Sequence, residues 1–153
     1  MANYTAADIK KLREETGAGM MDCKNALEES AGDFTAALEW VRQKGLARAD
    51  KKADRETNEG YISSYVHNNS KTAAMVEVLC ETDFVARNGE FQTMARDLAL
   101  QVVSMSPENV TELLSQDFIK NPSITIEEYV KSISGKIGEK FVVNRFVRYE
   151  VGE

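Results

Sequence analysis

The residue types that begin most enzymatic chemistry are scarce in this chain. There is one histidine, His67, and there are two cysteines, Cys23 and Cys80. The cysteines lie in unrelated segments without CxxC spacing, which reads as buried thiols rather than a disulfide framework or a zinc knuckle. A thiol enzyme would need a base beside Cys80. Facing strands bring His67 within conceivable reach, but neither residue sits in an activated-thiol motif. The chain also lacks both GxGxxG and a GxxxxGK run followed by Ser or Thr, so it is not expected to bind nucleotide itself. The expectation is a non-enzyme with no cofactor and no metal.

Two segments suggest contact instead of catalysis. Met20 and Met21 are adjacent, and successive helical residues point about 100° apart, so both cannot enter one small core. Methionine adapts well at binding surfaces, and Arg13 and Lys24 could frame the same patch. The second segment is Cys80-Glu81-Thr82-Asp83-Phe84-Val85-Ala86-Arg87-Asn88, where a strand ends and a helix is about to begin. There Phe84 either folds back on the core or projects beside Asp83 as an apolar wedge with a charged shoulder.

The elements that must hold these residues are legible from caps and periodicity. Thr5-Ala6-Ala7-Asp8 has the capping-box pattern, Ile9 and Leu12 follow as an apolar stripe, and Gly17 suits a stop. A second helix carries Met20, Met21, Lys24 and Leu27 to Gly32. A third, capped by Asp33, bears Phe34, Leu38 and Val41 and is expected to stop at Gly45. Residues 46–56 read as a charged connecting helix, with a domain boundary near Thr57.

Beyond it the pattern turns to β. The runs from Tyr61 to Val66 and from Ala73 to Leu79, separated by His67-Asn68-Asn69-Ser70-Lys71, predict a hairpin. Asn88 caps a helix with Phe91, Met94, Ala95, Leu98 and Val102 on one face, ending near Pro107. Residues 107–123 predict short helical turns at most. Thr125-Ile126-Glu127-Glu128 opens another helix, Gly138 stops it, and the run from Phe141 to Tyr149 reads as a strand returning to the hairpin. The fold class is α+β: a three-helix unit at 1–45, the connecting helix at 46–56, and an antiparallel sheet with packed helices at 57–153.

Composition sets the class. With 42% hydrophobic and 29% charged residues the chain can bury a core. No apolar run is long enough to span a bilayer, and MANYTAADIKKLREE lacks the apolar centre of a secretory signal, so a cytoplasmic protein without a membrane partner is expected. Residues 1–55 contain ten basic and ten acidic side chains, which puts the whole net charge of -6 in the remainder. The local basic stretch 42–55 reads as a solvated helix face, and no direct nucleic-acid partner is expected.

The segment from Lys11 to Lys24, KLREETGAGMMDCK, and the segment from Cys80 to Asn88 resemble, in order, the two signatures of elongation factor Ts. Lys51-Lys52-Ala53-Asp54-Arg55, Lys136-Ile137-Gly138-Glu139-Lys140 and the closing run from Arg145 to Gly152 fit the same family. The resemblance implies a ubiquitin-associated-like N-terminal domain that docks on the GTPase domain of elongation factor Tu, here through Arg13, Met20, Met21 and Lys24. It implies that Thr82, Asp83, Phe84 and Val85 intrude near the partner's magnesium and phosphates and so promote GDP release. The brevity of residues 109–131 looks like a shortened single-core form, for which the resemblance implies a homodimer; no cysteine in the last strand is available for an intersubunit disulfide. The competing reading is a non-enzymatic adaptor whose three-helix module binds a protein partner.

Overall fold

The computed structural model describes residues 3–153; Met1 and Ala2, which open the expected 1–45 unit, lie outside the described residues. Helix α1 (Ala6–Thr16) begins where the capping box predicts: Asp8 N–H donates to Thr5 Oγ1 at 3.3 Å and Thr5 N–H donates to Asp8 Oδ2 at 2.7 Å. Helix α2 (Met20–Glu29) and helix α3 (Phe34–Asp50) complete the bundle, and Asp33 accepts from Ala36 N–H to cap α3. Leu12, Cys23, Ala26, Leu27 and Ala37 form its small core, with Phe34, Leu38 and Val41 packed around them. Such a core is modest for independent stability.

Helix α3 does not stop at Gly45. It runs unbroken to Asp50, and turns rather than a separate helix occupy the following residues to Asp54, so the expected 46–56 helix is replaced by the end of α3 and a short link. The reason is tertiary. Helix α7 (Ile126–Ile137) crosses α3 so closely that a Cβ on Gly135 would fall on the Gly45 carbonyl. Two glycines let the backbones meet, and Gly45 is a contact residue within the helix. Ion pairs flank the crossing: Arg42 with Glu128, and Lys131 Nζ with Asp50 at 2.9 Å.

The core unit is an antiparallel sheet of order β1-β2-β5, formed by β1 (Glu59–Val66), β2 (Thr72–Cys80) and β5 (Val142–Glu150). Ala74, Val76, Val78 and Cys80 of β2 point to one face, as the two-residue period of a strand requires. Helix α5 (Gly89–Met105) covers that face with Phe91, Met94, Ala95, Leu98, Ala99 and Val102. The opposite face carries Ile62, Val66, Met75, Val147 and Tyr149, all but Val147 about half exposed or more.

Residues 107–124 contain more than helical turns. Helix α6 (Val110–Ser115) is followed by a hairpin of β3 (Asp117–Phe118) and β4 (Asn121–Thr125). Buried Gln101 of α5 holds it, donating to the Asp117 carbonyl at 3.0 Å and accepting from Ile119 N–H at 3.0 Å. This anchor satisfies a polar side chain that burial would otherwise penalise.

Candidate functional site

Between β2 and α5 the chain makes one extra turn of helix, α4 (Asp83–Ala86), instead of passing directly from strand to helix. Thr82 caps it, accepting from Val85 N–H at 3.3 Å. Four residues leave little room, and the turn divides its side chains sharply. Val85 and Ala86 are buried in the core, while Phe84, 76% exposed, projects into solvent. Beside it Asp83 pairs with Arg87 at 3.2 Å in the open. Of the two placements open to Phe84, the structure adopts the projecting one.

The turn is held from the far end of the chain. Glu139, just past α7, accepts Glu81 N–H at 3.0 Å and Thr82 N–H at 3.1 Å on Oε1, and the Thr82 hydroxyl at 2.7 Å on Oε2. Reciprocally, Glu81 accepts Lys140 N–H at 2.7 Å and an Arg55 guanidinium N–H at 3.3 Å. Charge-assisted bonds of this kind are stronger than neutral ones. Sequence reasoning identified Glu81 and Glu139 only inside longer matching runs. Their joint role depends on a contact between residues 58 positions apart, for which no local pattern exists.

On the helical unit Met20 and Met21 are 61% and 63% exposed, so both face solvent. Lys24 lies one turn further along α2, 3.8 Å from Glu28, and Arg13 is exposed on the last turn of α1. The basic stretch is taken up largely in intrachain contacts. Arg42 pairs with Glu39 and Glu128, Arg48 with Asp22 at 2.6 Å, and Arg55 with Glu81. Lys52 is buried and donates to the Arg48 carbonyl at 2.8 Å; burial and the neighbouring Arg55 and Arg48 lower its pKa.

The Cys80 and His67 dyad is not assembled. In the β1–β2 register Cys80 faces Glu59, whereas His67 follows the Val66 and Ala73 pair at the opposite end of the ladder. Seven strand residues separate those ends, more than about 20 Å at the rise of a β-strand. Burial, with Glu139 nearby, pushes the Cys80 thiol up to about 11, which keeps it protonated and unreactive. Among the described residues no group of His, Cys, Asp and Glu could hold a metal ion.

A projecting aromatic on a braced turn is an uncommon use of an apolar side chain, and comparison with known proteins shows the family in which it occurs here. The family model described as elongation factor TS matches residues 81–153, beginning at the braced segment. Elongation factor Ts of Synechococcus sp. (strain RCC307) is 40% identical over 100% of this chain and 92% of its own length. The chain belongs to the elongation factor Ts family. Elongation factor Ts of Carboxydothermus hydrogenoformans is 41% identical over 97% of this chain and 89% of the relative. That of Prochlorococcus marinus (strain MIT 9215) is 40% identical over 100% and 91%. The Synechococcus alignment spans 199 positions against 153 residues here, so that elongation factor Ts carries inserted residues this chain lacks. Membership makes the chain a translation elongation factor. Among the described residues no helix is long and apolar enough to cross a membrane.

Proposed function

We propose that this protein is a guanine nucleotide exchange factor that acts in the cytoplasm by releasing GDP from elongation factor Tu, and that it performs no covalent chemistry. The exposed ring of Phe84 carries the reading. An apolar side chain held clear of its own core, with buried Val85 and Ala86 anchoring the turn below, is suited to insertion into a partner. Magnesium bridges nucleotide phosphates to a GTPase, so Asp83 and Phe84, on the turn that Thr82 caps, act by displacing the groups around that ion; Val85, which the family resemblance places in the same intruding segment, is buried and serves as the anchor instead. By linkage, the factor taken from GDP affinity equals the factor GDP takes from the affinity of the exchange protein, so incoming nucleotide expels it. The three-helix unit, of the ubiquitin-associated-like kind, docks through Met20 and Met21 beside Arg13 and Lys24. The test is release of fluorescent GDP from elongation factor Tu into excess unlabelled nucleotide. Acceleration at substoichiometric protein supports exchange; binding without acceleration supports the adaptor reading instead.

The uncovered sheet face supports a second element of the reading, a homodimer. Ile62, Val66, Met75, Tyr149 and Val151 are large apolar side chains left exposed, with the Glu77 and Arg145 pair at their border. A second copy presents the same apolar surface and matching charges, as a twofold interface needs. In this reading the two copies associate through the face of the sheet. Light scattering decides it: a monomer mass well above assay concentrations refutes the dimer.

A further inference from the structure

Beneath the projecting turn, the Glu139 carboxylate collects three hydrogen bonds, all from the two residues that precede Asp83 and Phe84. The Thr82 hydroxyl is the hinge of this arrangement. It donates to Glu139 at 2.7 Å and accepts from Val85 N–H at 3.3 Å, so the carboxylate and the first turn of α4 hold the same oxygen. Glu139 is itself fixed. Gly138 ends α7 at φ 93, a left-handed conformation that glycine takes without strain, and Ser134 Oγ donates to the Glu139 carbonyl at 2.6 Å.

We propose that Glu139 is a positioning residue for nucleotide exchange: it sets the direction in which Phe84 projects without itself meeting the partner. The proposal rests on the exchange reading above. Without Glu139, the Glu81 and Thr82 amides and the Thr82 hydroxyl lose their acceptor, and the turn, still anchored by buried Val85 and Ala86 and by the contacts of the Glu81 side chain with Lys140 and Arg55, samples other directions. An aromatic that must enter a partner in one orientation then does so rarely. Docking by α1 and α2 is untouched, so the maximal rate falls while the half-saturating concentration holds.

The experiment compares the full chain with Glu139→Ala, Glu139→Gln and Glu139→Asp. GDP release is measured across a range of exchange-protein concentrations, and amide hydrogen exchange is measured on each protein alone. Loss of charge-assisted bonds predicts a maximal release rate about tenfold lower or more for Glu139→Ala, with half-saturation changed less than about threefold. Amide exchange at Thr82 and Val85 accelerates by a similar factor while α1 and α2 are unaffected. Glu139→Gln keeps an oxygen for the two backbone amides and retains most of the rate. If Glu139→Ala does not fold, Glu139→Asp, which withdraws the carboxylate by one methylene, carries the same test. An undiminished maximal rate in the folded variant, or equal losses in Glu139→Ala and Glu139→Gln, overturns the positioning role alone. A wild-type protein that fails to accelerate GDP release overturns the exchange reading and this role with it.

Discussion

Phe84→Ala separates a contact aromatic from a core aromatic, because the two carry opposite burdens. Phe84 is 76% exposed, so roughly a quarter of its surface is covered by its own chain. Complete burial of such a side chain contributes about 1.5–3 kcal/mol, and a quarter of that is about 0.4–0.8 kcal/mol. In a domain of this size the melting temperature should fall by only about 1–3 °C. Phe91 is fully buried against α5's neighbours and packs on Phe141 with ring centroids 4.8 Å apart. Its truncation should cost about 3–5 kcal/mol and lower the midpoint by roughly 6–20 °C. In exchange the order reverses. If the partner buries the exposed three quarters of the Phe84 side chain at the moment of release, its loss forfeits about 1.1–2.3 kcal/mol, which slows maximal GDP release roughly 7- to 50-fold. Thermal unfolding and fluorescent GDP release on the same preparations give both numbers. A Phe84→Ala protein that melts like Phe91→Ala yet exchanges normally per folded molecule refutes the wedge.

Three other outcomes are expected. Met20→Asp and Met21→Asp should each raise the half-saturating concentration about tenfold while leaving the maximal rate and the melting temperature nearly unchanged, as burial of one such side chain at a contact predicts; titration of the exchange rate reads it. Gly135→Ala should destabilise the protein by about 1–3 kcal/mol in denaturant unfolding, because its Cβ meets backbone at the α3 and α7 crossing and not a side chain that can turn aside. Cys80 should resist thiol reagents in the native state at pH 8, and Cys80→Ala should keep full exchange activity. Its pKa is raised from 9.0 to about 11, so the stabilisation linked to the protonated thiol is complete below pH 9 and is lost only as pH rises through about 11; rapid labelling of the folded protein at pH 8 contradicts this.

What the sequence alone determined is local. Thr5, Asp33, Asn88 and Thr125 start helices because a short polar side chain can reach an amide two or three residues ahead, and that geometry is complete within one turn. The strands of the sheet follow from alternation of the same short range. The two segments proposed for contact were also marked in the sequence, as residue types at a junction and as paired methionines. Only the tertiary structure decided the rest. Gly45 reads as a stop by propensity, but the crossing with Gly135 outweighs the small cost of glycine within a helix. The 117–125 hairpin is held by Gln101, more than a dozen residues upstream, and its short strands carry too little pattern to announce themselves. Whether Phe84 turned inward or outward could not be read from a four-residue turn, because its helical period is barely completed once. Val85 and Ala86 took the buried positions, and the Glu139 carboxylate, 57 residues beyond Thr82, fixed the backbone that leaves the ring outside.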